Sequence, residues 1–185
     1  MSNVESKKDA YLDMPLTNVL SEWLIQEEWE DEIEVQDDRK SSHVVTSMSI
    51  EYQSHKMYLE ADETKEWLSV YLYGPVKVPP DRFGEMSRLL NLINHRLGLG
   101  RIVCIDEEDG KRVQFLARVD VEGSVLRPKQ IDNLVRAACG TFRNYGSIIA
   151  AIAITKQSAQ DAWAELLSGD AGADKQALET GEGGV

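Results

Sequence analysis

The chain has 185 residues, of which 42% are hydrophobic and 28% charged, a composition typical of one globular domain with a substantial core. Its formal net charge of −12 would repel a phosphate backbone, which excludes nucleic acid as the expected partner. No apolar run approaches the roughly 20 residues of a membrane helix, and the first residues lack the apolar core of a signal peptide. We therefore expect a cytoplasmic protein without a membrane anchor.

The start of the chain predicts a flexible polar tail, a helix and an acidic segment. The tail spans residues 1–13, and the helix runs from Pro15 to Trp29 with Thr17 as its N-cap. Eight carboxylates and no Lys or Arg lie between Glu27 and Asp38. Such a run is typical of a solvated surface, and a docking surface for a basic protein segment is the alternative.

A β-meander is predicted by the next part of the chain. A short strand is indicated at 33–35, and between residues 43 and 73 apolar side chains recur at every second position. Ser54–His55 is predicted as the first turn and residues 62–65 as the second, and Gly74–Pro75 is expected to end the third strand. The meander has one apolar face, which requires helices to cover it.

A helix and a β-hairpin are predicted to follow. Pro79–Pro80 opens the helix, whose apolar residues recur at intervals of three and four, and Gly98 or Gly100 is expected to end it. Asp109–Gly110 is a strong signal for the hairpin turn.

A long helix beginning at Pro128 is predicted to end the domain. Gly140 and Gly146 lie in its interior and favour a kink, or the close approach of another backbone. Trp163 and two leucines indicate a further helical segment. The acidic, glycine-rich residues 168–185 are predicted to be disordered, which leaves one domain over 14–167.

The residues that most often carry chemistry form no recognisable motif. Cys104 and Cys139 are far apart and predicted to be buried, reduced thiols. The histidines, His43, His55 and His95, belong to no metal-binding pattern and are predicted at surface or edge positions. We expect no catalytic residues, no metal, no cofactor and no enzyme activity.

Two sequence elements resemble a known family. Leu89–Asn94 reads LLNLIN and is followed by the hairpin, and Leu126–Gln130 reads LRPKQ and opens the last helix. This pattern resembles the YbjN family of bacterial sensory transduction regulators. The resemblance implies an α+β fold similar to that of type III secretion chaperones: a β-meander plus a β-hairpin packed against three helices, in the order α-β-β-β-α-β-β-α. It also implies a non-enzymatic protein that binds other proteins, often as a homodimer.

A protein interface is expected on the last helix. Phe142, Tyr145, Ile149 and Ile152 share one face of that helix and are the candidate contact residues for a protein partner of unknown identity or a second copy. The alternative is that they fill the core of the monomer.

A small-molecule sensor is the alternative function. Trp67, Tyr71 and Asn94 would line a pocket between the meander and the second helix. Asn91 and Asn94 also interrupt the apolar face of that helix. We expect their amides to bond a neighbouring strand or loop backbone, with contact to a ligand or partner as the other possibility.

Overall fold

The structure is a computed structural model, and it describes residues 11–108 and 110–168. The expectations for residues 1–10, for Asp109 and for residues 169–185 lie outside the described residues. The helices are α1 (Pro15–Gln26), α2 (Phe83–Asn94), α3 (Pro128–Ile154) and α4 (159–168). The strands are β1 (Glu34–Val35), β2 (Ser41–Ile50), β3 (Gln53–Asp62), β4 (Trp67–Val78), β5 (Arg101–Glu107) and β6 (Gly110–Asp120).

The described residues form a six-stranded sheet in the order β1-β2-β3-β4-β6-β5, with every neighbouring pair antiparallel. The helices cover one side of this sheet, which we call the inner face. The predicted α+β architecture and its element order are therefore confirmed. Strand β1 and helix α4, which the order implied by the resemblance leaves out, correspond to the short strand predicted at 33–35 and to the further helical segment predicted around Trp163. Long side chains such as Leu59, Leu72, Phe115, Met86 and Ile131 fill the space between the inner face and the helices.

The turn between β2 and β3 lies earlier than we predicted. Glu51 and Tyr52 form it, with φ of 47° and 65°, and two left-handed residues suit the right-handed twist of a hairpin. Ser54 and His55 therefore belong to β3, and the prediction of a turn there is wrong. His55, predicted at a surface or edge position, is only 2% exposed, and its ring centroid lies 4.8 Å from that of Phe142.

Strand β4 continues through Gly74–Pro75, where we predicted its end. Its pairing with β6 shifts register between Tyr73 and Lys77, so the proline, which lacks an N–H, lies in the irregular part of the ladder. A Cβ at Gly74 would lie 3.2 Å from the Phe142 ring. The glycine thus lets α3 pack close to the sheet at this irregularity.

Helix α1 is capped by a residue distant in sequence. The helix begins at Pro15, so Thr17, our predicted N-cap, lies inside its first turn. Glu63, in the turn between β3 and β4, accepts hydrogen bonds from the backbone N–H groups of Leu16 (3.1 Å) and Thr17 (2.8 Å) and from the Thr17 hydroxyl (2.8 Å). These bonds satisfy donors that a helix start leaves free.

The ends and interior of the other helices also differ from prediction. Helix α2 ends at Asn94, and Gly100, at φ +77°, lies where a Cβ would be 2.3 Å from Phe115 Cζ. Helix α3 runs without interruption through Gly140 and Gly146. A Cβ at either of these two positions would meet nothing within 4 Å, so no described backbone approaches them.

Helix α4 is a separate element held against α2. The Arg82 Nε donates to the Ile152 carbonyl at the end of α3 (2.8 Å). The Glu85 carboxylate accepts the backbone N–H of Ala159 at the start of α4 (2.8 Å). The predicted helical segment around Trp163 is therefore a new helix after a short break.

Candidate protein-binding site

The side of the sheet opposite the helices, which we call the outer face, carries a second set of large side chains. Along each strand they alternate with the buried residues of the inner face, and none of them belongs to the apolar core. Most are half-buried by their neighbours on the sheet. The large outer-face residues are His43, Val45, Tyr58, Trp67, Tyr71, Tyr73, Val103, Ile105 and Leu116.

Three aromatic rings cross the middle of the outer face. His43 on β2 stacks on Tyr58 of β3, with ring centroids 4.9 Å apart. Tyr58 in turn lies 5.9 Å from Tyr71 of β4. Burial among these neighbours raises the pKa of Tyr58. Because each ring rests against the next, the row presents a preorganised apolar surface with polar tips.

Arg118 of β6 extends this row toward the opposite side of the sheet. Its guanidinium lies 4.2 Å from the centroid of the Trp67 ring, its Nε donates to the Ser69 hydroxyl (2.8 Å), and its Nη2 donates to the Tyr71 hydroxyl (3.3 Å). The Tyr71 hydroxyl donates to Glu60 (3.1 Å). Stacking and hydrogen bonds thus orient an exposed cation.

The outer face has an acidic end and a cationic end. At the acidic end, the acidic segment between Glu27 and Asp38 contains β1, where Glu34 lies 3.2 Å from His43. The cationic end consists of Arg101 on β5 and Arg118 on β6, and neither has a carboxylate partner among the described residues. Glu107, at that same end, is already held by Arg112 (3.1 Å) and by Lys77. Asp120, two residues after Arg118 on the same face of β6, accepts the Glu122 N–H and offsets one of these positive charges. The two arginines therefore leave a net positive charge among the described residues at this end.

A cleft of about 640 Å³ opens at the end of the outer face near the β2–β3 turn. Side chains of both signs and several hydroxyls line it, among them Asp31, Ser47, Lys56, Tyr73 and Arg112. This mixed lining suits a polypeptide surface better than an apolar small molecule, whose sites are mainly hydrophobic.

The two edges of the sheet are protected from pairing. At β5 the Asn94 amide donates to the Ile102 carbonyl (2.9 Å) and accepts the Ile102 N–H (2.7 Å). The predicted backbone role of Asn94 is confirmed, whereas Asn91 is exposed and bonds no strand among the described residues. At the other edge β1 has only two residues and lies beside carboxylates. Short, charged or covered edges resist strand addition.

The residues predicted as an interface on α3 lie mostly in the core. Phe142, Ile149 and Ile152 are 2%, 4% and 0% exposed. Tyr145 is half-buried, with its ring centroid 6.1 Å from that of Trp163 in α4. The chain's own sheet and α4 thus already cover the face that we expected a partner to contact.

The residues predicted to line a small-molecule pocket are not brought together. Trp67 and Tyr71 lie on the outer face, and Asn94 lies at the edge of the sheet beside Ile102. Where α2 meets the inner face, Leu89 and Ile93 are 0% exposed, so core side chains occupy the expected site.

A metal-binding group or a reactive thiol among the described residues would indicate a reaction centre. No group of three or more His, Cys, Asp or Glu side chains among them could hold a metal ion. Burial raises the pKa of both thiols, Cys104 and Cys139, which disfavours the reactive thiolate. No helix in this part of the chain is long and apolar enough to cross a membrane.

The fold is that of an α+β domain with one open sheet face, and comparison with known proteins identifies its family. A family model named YbjN, with the description "Putative bacterial sensory transduction regulator", matches residues 17–147. The chain belongs to this family. The match ends before α4, so that helix lies outside the family model, whereas Glu85, which accepts its first N–H, lies within the matched residues.

Two solved structures are similar to this chain. YbjN from E. coli has a TM-score of 0.46 at 13% identity, covering 69% of this chain and 89% of that one. A chain of the ExsC-ExsE complex has a TM-score of 0.46 at 16% identity, covering 71% of this chain and 93% of that one. Comparison with curated proteins gave no significant match.

Sequence reasoning missed the outer face, although the chain carries a signal for it. In β4 the aromatic residues Trp67, Tyr71 and Tyr73 lie at odd-numbered positions, which alternate with the buried aliphatic residues at even-numbered positions. Tyr58 has the same outward phase in β3. Aromatic residues repeated on the outward phase of adjacent strands indicate a face that contacts something besides water.

Proposed function

We propose that this chain is a non-enzymatic regulator that acts in the cytoplasm by binding other proteins, and that it works as a homodimer. The observation that carries the proposal is the outer face, a whole side of the sheet left outside the core. Tyrosine, tryptophan and arginine are the residues most enriched where proteins meet. Tyr58, Tyr71, Trp67 and Arg118 form one connected group there.

The regulatory class of the family and the chemistry of the described residues support this proposal. The family description is that of a sensory transduction regulator. The acidic segment between Glu27 and Asp38 is held on the domain by Trp29, whose ring centroid lies 4.8 Å from that of Trp23. A positioned acidic surface of this kind suits a basic segment of a partner protein.

The proposal is tested by affinity capture from the native lysate with three forms of the tagged full-length chain. These are the wild type, a double variant of the outer face (Tyr58→Ser with Tyr71→Ser), and a control variant of an exposed α2 residue (Arg88→Ala). We expect the wild type and the control to retain protein partners, including untagged copies of the chain, and the outer-face variant to lose them. Retention of no protein by the wild type would contradict the proposal.

A further inference from the structure

We propose that the occupant of the outer face is the outer face of a second copy, packed sheet against sheet about a two-fold axis parallel to the strands. This inference rests on the homodimer of the proposed function and specifies its interface. Four strands with long outward side chains, β2, β3, β4 and β6, lie side by side in the middle of the sheet. Aligned packing of two sheet faces is a common solution for such surfaces.

The aromatic pair lies where the axis would pass. Tyr58 and Tyr71 are register partners on β3 and β4, with two strands of the sheet on either side of this pair. A rotation of 180° about an axis between β3 and β4 therefore brings the rings of one copy onto those of the other. It also brings the β1–β2 side of each copy over the β6–β5 side of its partner.

The charges of the two ends match under this rotation. Strand pairing places Glu34, His43, Glu60, Ser69 and Arg118 in a single row across the sheet, with the acid at one end and the arginine at the other. The acidic end of each copy would therefore meet the cationic end of its partner, twice in one dimer. A face with this polarity is complementary to itself, which is the requirement for an interface between identical subunits.

The size of the outer face also suits a stable dimer. The six strands hold 52 residues in all, and at about 3.3 Å along the strand for each residue and about 4.8 Å between strands they cover about 800 Å² in each copy. A standard protein interface buries about 800 Å² on each partner. The alternative route to a dimer, pairing of β5 edges, is obstructed by Asn94 at Ile102.

Two variants, each with the charge of one end reversed, test the interface. One variant reverses the cationic end (Arg101→Glu with Arg118→Glu), and the other reverses the acidic end (Asp31→Lys with Glu34→Lys). Light scattering and sedimentation of the full-length chain measure the mass of each alone and of an equimolar mixture. We expect a wild-type dimer, at least tenfold weaker self-association of each variant alone, and a heterodimer in the mixture, because only the mixture pairs opposite charges at both ends.

A control separates the position of the charges from their number. The double variant Arg88→Glu with Arg143→Glu changes the net charge as much as the first variant does, but at exposed positions of α2 and α3. We expect it to remain dimeric. If a double variant does not fold by circular dichroism, the single variants Arg101→Glu and Glu34→Lys repeat the exchange.

Three other outcomes would contradict the proposed interface, and they differ in whether the homodimer itself stands. A wild-type dimer that neither reversal weakens has its interface elsewhere, so the homodimer stands and this interface falls. A wild-type monomer at all concentrations overturns both, and leaves the outer face to a foreign protein that the capture experiment would identify. A heterodimer that fails to form from two folded, monomeric variants also contradicts the proposed pairing of ends.

Discussion

The inner and outer faces of the sheet are made by the same strands and yet differ in almost every physical respect. Leu68, Val70 and Leu72 of β4 point inward and are fully buried, whereas Trp67 and Tyr71 alternate with them and remain partly exposed. The inner side chains are mostly aliphatic, with Phe115 and His55 among them, and they pack against the helices, so they determine stability. The outer side chains combine rings with hydroxyls and charges, so they can exchange water for another surface. Alternate positions of one strand thus belong either to the core or to the face that we propose for recognition.

The largest expected effect lies on the inner face, at Phe115. This side chain is 0% exposed and lies against the Gly100 backbone. Phe115→Ala removes a ring from a close-packed core, and we expect a loss of about 3–5 kcal/mol in the free energy of unfolding, measured by urea denaturation. The conservative change Phe115→Leu should cost less than half as much. Equal losses for the two variants would show that the site is not tightly packed.

A smaller effect is expected at the protected edge of the sheet. Asn94→Ala removes both hydrogen bonds to Ile102 and leaves a strand edge unpaired, so we expect a loss of about 1–3 kcal/mol and a rise in aggregation. Asn91→Ala, at an exposed position three residues earlier, is the matched control and should change stability by less than about 0.5 kcal/mol. Similar unfolding midpoints for both variants would contradict the role of Asn94.

The next effect is a pH dependence that belongs to the inner face. Burial lowers the pKa of His55 below its ordinary 6.5, and its Nδ1–H donates to the Tyr73 carbonyl (3.2 Å). As the pH falls, the unfolded chain therefore binds a proton at His55 more readily than the folded chain does. This residue thus makes the free energy of unfolding decrease as the pH is lowered from about 7.5 to about 5. Unfolding across this range should depend less on pH in His55→Gln, whereas His95→Gln, at an exposed position, should resemble the wild type.

The smallest effect on stability is expected on the outer face. Tyr71→Ser removes a partly exposed ring, and we expect it to change the free energy of unfolding by less than about 1 kcal/mol. The measurement belongs in the charge-reversed background of Asp31→Lys with Glu34→Lys, because a dimer would add its own concentration-dependent stability and because Arg118, which donates to the Tyr71 hydroxyl, must stay in place. A loss comparable to that of Phe115→Ala would contradict the claim that the inner face contributes more to stability than the outer face does.

Periodicity made most of the fold predictable. Alternation in the meander and intervals of three and four in the helices depend on neighbouring residues alone, so the elements could be placed from local sequence. The turn at Glu51–Tyr52 could not, because neither residue is the glycine that normally marks a left-handed turn. The continuation of β4 past Gly74–Pro75 depends on its partner strand β6, which local sequence does not reveal.

The candidate site was harder to predict because an apolar helix face has the same sequence pattern in a core and in an interface. Phe142, Ile149 and Ile152 therefore looked like contact residues, but the sheet covers them. The outer face has only a weak pattern, since its aromatic residues are spread over several strands. Arg118 becomes part of the site through Trp67, about fifty positions earlier, and that contact follows from strand order rather than from spacing.

The carboxylate that caps α1 has a consequence for the order in which the newly made chain folds. Helix α1 has 12 residues, a length at which an isolated helix is marginal in water, and its first donors are satisfied by Glu63. A ribosome completes the sequence of α1 well before it reaches that glutamate. Helix α1 should thus become stable only after the β3–β4 turn has left the exit tunnel, although its own residues are made earlier.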